Sequence, residues 1–279
     1  MSPVRIAVIG AGTMGRGIAL TAVRHGCAVA VFDADPAAAR RAGDAAADLA
    51  GEPVTVAESI DAAVRHADAV IEAVVELAEP KADVLRAIAG AAPGDALLAT
   101  NTSTMSIGRL AALSGTGGRL VGMHFFNPPQ KMRLVEVVVA DGAPPGLVRR
   151  CTELAEALGK TPVVVRDSPG FITSRLGLIL GNEAMRMVAE GVADPAAIDT
   201  AMRLGYNHPM GPLELADLVG LDARLNNLNS LSAALDDERY RPPRILADMV
   251  RAGHLGRKSG RGFYRYDADG RTIDGPTPT

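Results

Sequence analysis

The sequence predicts an α/β protein in two parts: a doubly wound, mostly parallel sheet over residues 1–167, then an all-helical domain over 168–279. Three observations carry that expectation. Short apolar runs alternate with helix-period segments through the first part, and a glycine-rich turn follows the first run. After Arg166-Asp167-Ser168-Pro169-Gly170 the alternation stops and only helix-period patterns remain. Strands alternating with helices favour an open parallel sheet covered on both faces.

Taken in order, residues 5–9 read as a buried strand, and residues 17–25 as a helix closed by Gly26. A strand at 29–32 and an Ala-rich surface helix at 36–50 follow. Further strands are expected at 69–74, 96–100, 120–124 and 135–139, with 163–165 as a last edge strand. In the second part, 171–189, 195–204 and 214–235 read as helices. Asp194-Pro195 is a helix start, and Gly191 and Gly205 are stops. There is no internal repeat, and the polar tail after Tyr266 is expected to fray.

At 279 residues and 48% hydrophobic, the chain can bury a substantial core. A formal net charge of -3 gives no electrostatic case for nucleic acid or an anionic membrane. The start of the chain shows no apolar leader with a cleavage site, and no run approaches membrane-span length. Cys27 and Cys151 lie far apart without metal-type spacing, so reduced thiols in the cytoplasm are expected. The five His form no ligand-spaced cluster, which gives metal catalysis no support.

Gly10-Ala11-Gly12-Thr13-Met14-Gly15 follows a strand, opens a helix and precedes a second strand ending in Asp33. That context turns a weak glycine pattern into a dinucleotide-binding fingerprint of Rossmann type. The first glycine permits the tight turn, the second lets backbone approach a pyrophosphate, and the third allows close helix packing. Asp33 is placed to bind ribose hydroxyls and to repel a 2'-phosphate, so NAD is favoured over NADP. Asp35 and Arg40 read as surface residues.

His124, in Gly122-Met123-His124-Phe125-Phe126-Asn127-Pro128, is followed one strand later by Glu136. A carboxylate on one ring nitrogen would fix the tautomer and stabilise the imidazolium formed when the other takes a proton. The pair meets only if the Asn127-Pro128-Pro129 turn folds the chain back. Taken alone, a strand-end His with a solvated Glu is the plainer reading.

Together these residues resemble the 3-hydroxyacyl-CoA dehydrogenase family, especially its short bacterial 3-hydroxybutyryl-CoA dehydrogenase-like branch. The resemblance covers nearly the whole chain. It also includes Ile71-Glu72-Ala73-Val74-Val75-Glu76 with Lys81, Thr100-Asn101-Thr102-Ser103, Pro169-Gly170-Phe171-Ile172, His208-Pro209-Met210-Gly211-Pro212 and Gly256-Arg257-Lys258-Ser259-Gly260. It implies NAD-dependent oxidation of a 3-hydroxyacyl thioester, with His124 as catalytic base, Glu136 as its partner, Ser103 on the reacting oxygen and Asn127 shaping the pocket. Gly10, Gly12, Thr13, Met14, Gly15, Asp33, Glu76, Lys81 and Asn101 are the expected cofactor residues, and a homodimer through the helical domain is expected. Read without the family, Ser103 is a helix cap, Asn127 a turn residue, and Glu76 with Lys81 a solvated acid and a helix-start lysine.

Two departures bear on the substrate. Ser174 stands where the best-described members carry an Asn that contacts substrate, so it is either a shorter substrate donor or a small packing residue. The stretch from Asp33 to Glu72 is short, where the family inserts a basic helical excursion that helps hold coenzyme A. It contains Arg40, Arg41 and Arg65 but no Lys. Arg244, Arg251, Arg257 and Lys258 could take over, or form a solvated basic surface. The alternative handle is an acyl carrier protein, whose phosphopantetheine arm offers the same thioester, as in polyketide extender-unit biosynthesis of the glyceryl or hydroxymalonyl type. Further alternatives are a free hydroxy- or sugar-acid dehydrogenase and a non-catalytic NAD-binding protein.

Overall fold

The structure, a computed structural model, describes residues 3–51 and 54–273. The chain divides into two compact units, Met1–Phe171 and Ile172–Thr279. The boundary falls after Phe171 and not after Asp167, because Phe171 is buried in a core cluster of the first unit.

In that unit the elements run β1 (Arg5–Ile9), α1 (Thr13–Arg24), β2 (Ala28–Phe32), α2 (Pro36–Ala50), β3 (Thr55–Val56), α3 (Ile60–Val64), β4 (Ala69–Glu72), α4 (Ala78–Ala91), β5 (Leu97–Thr100), α5 (Ile107–Ser114), β6 (Leu120–Phe125), β7 (Leu134–Val139), α6 (Pro145–Ala157) and β8 (Thr161–Arg166). The strands lie in the order β3-β2-β1-β4-β5-β6-β7-β8. All neighbours are parallel except β6 with β7, so β7 and β8 run against the other six. The order reverses at β1, whose neighbours are β2 and β4. Ligands of open α/β sheets bind outside the strand ends at such a point.

Side chains of one strand alternate between two cores. Ile6 and Val8 pack with Ile18 and Ala22 of α1 and with Leu154 of α6, while Ala7 and Ile9 pack with Leu85 of α4 and Leu110 of α5. Both faces are therefore covered, and a one-residue slip would exchange the two sets. Two short elements, β3 and α3, were not expected. A two-residue strand shows no alternation to read, and α3 is a five-residue turn capped by Ser59, whose hydroxyl accepts from the Ala62 amide. Helix α1 begins at Thr13, earlier than Gly17, since Gly12 is its N-cap.

The second unit contains α7 (Thr173–Ala189), α8 (Pro195–Tyr206), α9 (Pro212–Val219), α10 (Leu221–Leu235) and α11 (Arg244–Arg251) around their own core. The span 214–235 is two helices, not one. Gly220 breaks it at φ 102, a left-handed conformation that apolar periodicity does not reveal. The Asp194 carboxylate accepts from the Ala197 amide at 2.8 Å and starts α8. That helix runs through Gly205 and ends at Asn207, φ 57, a residue that tolerates this region.

The unit is not purely helical, because bridges Gly256↔Arg261, Arg261↔Arg265 and Tyr266↔Thr272 fold its C-terminal strap. The described part of the tail is thus paired, contrary to the expected fraying: the Ile273 amide donates to the Arg265 carbonyl at 2.8 Å. Residues 274–279 lie outside the described residues. Two buried acids draw the strap in. Asp217 accepts from the amides of Phe263 and Tyr264 and from the Tyr266 hydroxyl, and Asp199 accepts from the Tyr264 hydroxyl at 2.7 Å. Burial raises the Asp217 carboxyl above its ordinary range, with the three donors opposing that rise.

Among the described residues no helix is long and apolar enough to cross a membrane. Cys27 and Cys151 are free thiols, and burial pushes Cys151 up to about 12.

Candidate active site

The glycine turn between β1 and α1 is shaped by close approach. Gly10 sits at φ +101, where a Cβ would lie 2.6 Å from the Ala73 carbonyl oxygen. A Cβ on Gly15 would overlap the Gly10 carbonyl oxygen, while one on Gly12 would meet no protein atom within 4 Å. Two glycines therefore make the turn and the third keeps backbone open to a ligand. The amides of Thr13, Met14 and Gly15 open α1 and have no intrahelical acceptor, so they favour an anion there.

Asp33, just beyond β2, accepts from the Ala11 amide at 2.6 Å through Oδ2 and from the Asp35 amide at 2.8 Å through Oδ1. Each oxygen keeps a lone pair for a ribose hydroxyl. An open backbone cradle, helix amides and an anchored acid fit NAD.

Beside this turn, at the carboxyl ends of β4, β5 and β6, lies a cleft of about 320 Å³. Met14, Glu76, Lys81, Asn101, Ser103, His124 and Asn127, all singled out from sequence, line it together with Phe125 and Phe126. His124 and Glu136 stand directly opposite in the antiparallel β6–β7 pair, so both side chains leave the same face. His124 Nδ1 lies 2.7 Å from Glu136 Oε2, with the residues 7% and 1% exposed. An ionised carboxylate only accepts, so Nδ1 carries the hydrogen and the lone pair of the neutral ring is on Nε2. Phe126 and Phe171 pack on the ring at centroid distances of 4.5 and 5.9 Å. The solvated-Glu alternative does not describe this pair.

A second charged group, Lys81 with Glu76, also lines the cleft. Lys81, 1% exposed, pairs with Glu72 at 2.8 Å and Glu76 at 3.2 Å, so it is no solvated helix-start lysine. Glu76 Oε1 accepts from the Thr102 hydroxyl at 2.6 Å, the Ser103 amide at 2.8 Å and the Ser103 hydroxyl at 3.3 Å. Burial alone would raise the Glu76 carboxyl, but the Lys81 charge and these donors hold it below the usual carboxylate range. The Asn101 side-chain oxygen accepts from the Phe125 amide at 2.9 Å and ties the end of β5 to that of β6.

Sequence reasoning missed Glu72, Thr100 and Thr102, which hold the Lys81 and Glu76 side chains of the cleft, and also Lys160. Lys160 donates to the carbonyls of Pro129 and Met132 and pins the loop that follows Asn127. Glu72 could have been noticed: an acid closing the apolar run Ala69-Val70-Ile71 is buried by its strand and so requires a partner. Ser174 lies half-buried in the first turn of α7, in the second unit. The basic residues weighed for a coenzyme handle mostly meet acids of their own unit: Arg41 with Asp35, Arg65 with Asp61, Arg244 and Arg251 with Asp248, Arg257 with Glu214 and Lys258 with Asp222.

Comparison with known proteins fits this geometry. A family model described as the NAD binding domain of 3-hydroxyacyl-CoA dehydrogenase matches residues 5–54 and 43–168, and one described as the C-terminal domain matches 170–266. The chain belongs to the 3-hydroxyacyl-CoA dehydrogenase family. It is accordingly an NAD-dependent oxidoreductase. The N-terminal match comes in two overlapping pieces that meet between 43 and 54, inside the short stretch between Asp33 and Glu72.

Among relatives in this family, a probable 3-hydroxybutyryl-CoA dehydrogenase of Bacillus subtilis is 41% identical over 94% of this chain and 97% of its own length. One of Deinococcus radiodurans is 42% identical over 94% and 100%. The crystal structure of (S)-3-hydroxybutyryl-CoA dehydrogenase from Ralstonia eutropha superposes with a TM-score of 0.90 at 37% identity, covering 95% of this chain and 100% of that one.

Proposed function

We propose that this dehydrogenase oxidises the 3-hydroxyl of a short 3-hydroxyacyl-CoA, such as 3-hydroxybutyryl-CoA, with His124 as general base. The observation that carries the reading is the buried 2.7 Å pairing of His124 with Glu136 in the cleft that Ser103 and Asn127 also line. His124 Nε2 takes the proton of the 3-hydroxyl, and the imidazolium so formed lies against the Glu136 carboxylate, which holds the ring in place. Asn127 donates to the reacting oxygen, and the Ser103 hydroxyl turns its one hydrogen from Glu76 to the same atom, which fixes the carbon that carries it. NAD, when bound, supplies the hydride acceptor for that carbon. With the ring protonated, the same groups return a proton to a 3-keto oxygen, so both directions are open.

Gly10, Gly12, Thr13, Met14, Gly15 and Asp33 bind the pyrophosphate and ribose side of the cofactor. Glu76, Lys81 and Asn101 line its nicotinamide side. Ser174 serves as a substrate donor in place of the longer Asn. The second unit carries the homodimer contact, supported by Leu204 and Tyr206, which are 83% and 75% exposed. Free thiols fit a reducing compartment, the cytoplasm.

One observation favours a second handle. Among the described residues between β2 and β4 the elements are α2, β3 and α3, and two of the three arginines there, Arg41 and Arg65, lie beside Asp35 and Asp61, with Arg40 the third. That leaves little unpaired basic charge for adenosine phosphates, as an acyl group on a carrier protein would require little. A panel read by NADH absorbance tests both: one 3-hydroxyacyl group presented on CoA, on a loaded carrier protein and as the free acid. Fastest turnover on CoA is the expected result. A carrier preference transfers the assignment to the second handle, and a free acid faster than every thioester overturns both. NADH binding without turnover on any of them would make the chain a non-catalytic binder.

A further inference from the structure

The carboxyl end of β4 holds a fully buried acid that no step above uses. Glu72, 0% exposed, is in register with Ile9 of β1 and Thr100 of β5, in the centre of the sheet. An ionised carboxylate there is costly unless it is paired and hydrogen-bonded. Glu72 meets both conditions. Its Oε1 accepts from the Val74 amide at 2.7 Å and from the Lys81 ammonium at 2.8 Å, and its Oε2 accepts from the Thr100 hydroxyl at 2.6 Å.

The lysine on the other side of this pair is fully used as well. An ammonium has three protons to donate. Three acceptors surround Lys81 Nζ: Glu72 Oε1 at 2.8 Å, the Val74 carbonyl at 3.3 Å and Glu76 Oε2 at 3.2 Å. Any bond from Lys81 to a cofactor would displace one of these. Glu76 then gathers the amide and hydroxyl of Ser103 on its other oxygen. The chain Glu72, Lys81, Glu76, Ser103 thus runs from the sheet core to the rim of the cleft.

We propose that Glu72 is a positioning residue for the dehydrogenase reaction: it anchors Lys81, which fixes the Glu76 carboxylate, which in turn sets Ser103 at the reacting end of the cleft. This rests on the assignment of Ser103 to the reacting oxygen made under Proposed function, and it gives Lys81 the role of a strut in addition to its place on the nicotinamide side of the cofactor. Stability alone does not account for the pair. Apolar residues of similar volume commonly pack in such places with no loss of stability, but they offer Glu76 Oε2 no cation.

The test is a double-mutant cycle of Glu72→Gln and Ser103→Ala. Glu72→Gln keeps the volume and leaves one oxygen to accept, but removes the charge that holds Lys81. For each variant, kcat and KM are measured with the thioester the unmodified enzyme turns over fastest, and the Kd of NADH by fluorescence. Expected for Glu72→Gln is a fall in kcat of about tenfold, as for a misplaced reacting group, with NADH affinity within about twofold. In the Ser103→Ala background the same change has no further effect on kcat. An equal fall in both backgrounds, or a loss of NADH affinity in step with kcat, overturns the proposal. Undiminished kcat in Ser103→Ala alone removes the Ser103 assignment and this proposal with it, whereas a slow Ser103→Ala with an additive cycle removes only this one. Should Glu72→Gln not fold, Thr100→Val, which deletes one bond to Glu72 without touching its charge, goes through the same cycle. Its expected cost is about threefold, seen only with Ser103 present.

Discussion

His124 and Glu136 meet because β7 turns back on β6, which places residues of equal register side by side on one face. Both residue types were legible as candidates in the sequence, but their contact was not, since it depends on one antiparallel pair in an otherwise parallel neighbourhood. Glu136→Gln keeps the shape of the partner while removing its charge. Turnover is expected to fall by about 10²-fold or more with NADH affinity retained, the range of a lost acid–base function. Turnover near that of the unmodified enzyme would leave Glu136 a packing residue.

Glu72 and Lys81 show the opposite limit of reading. Both belong to the motif that resembles the family, yet their mutual burial follows from the packing of α4 on β4, and sequence spacing alone leaves Lys81 on a solvated helix start.

At the scale of elements, every strand of the first unit but the two-residue β3 was legible to within two residues at each end, because each is a short apolar run between turn signals. The helices of the second unit were less so, since periodicity continues straight through Gly220 and the break is a backbone event. The strap from Gly256 to Tyr266 was not legible as paired structure, because the acids that hold it, Asp199 and Asp217, are distant in sequence.

The turn between β1 and α1 gives the clearest element-level prediction. Gly12→Ala adds a methyl group facing open space, so thermal stability stays within about 1 kcal/mol while NADH affinity falls. Gly15→Ala forces the methyl into the Gly10 carbonyl and is expected to cost more than about 3 kcal/mol, seen as a lowered Tm. Equal effects of the two substitutions on stability would contradict this division of roles.

For the whole molecule, the family and the α/β-then-helical order were legible from ordered motifs spread along the chain. The identity of the substrate's far end was not, because it depends on which basic groups are already engaged. The homodimer proposed through the exposed Leu204 and Tyr206 of the second unit predicts a dimer in sedimentation, converted to monomer by Leu204→Glu. A monomeric unmodified chain would remove that reading. The central claim, a hydroxyacyl thioester dehydrogenase whose base is His124, is tested most directly by His124→Gln. NADH formation from 3-hydroxybutyryl-CoA and NADH binding are measured on the same preparation. A fall in turnover of about 10²- to 10⁴-fold with binding unchanged is predicted, and undiminished NADH formation by the variant would contradict the account.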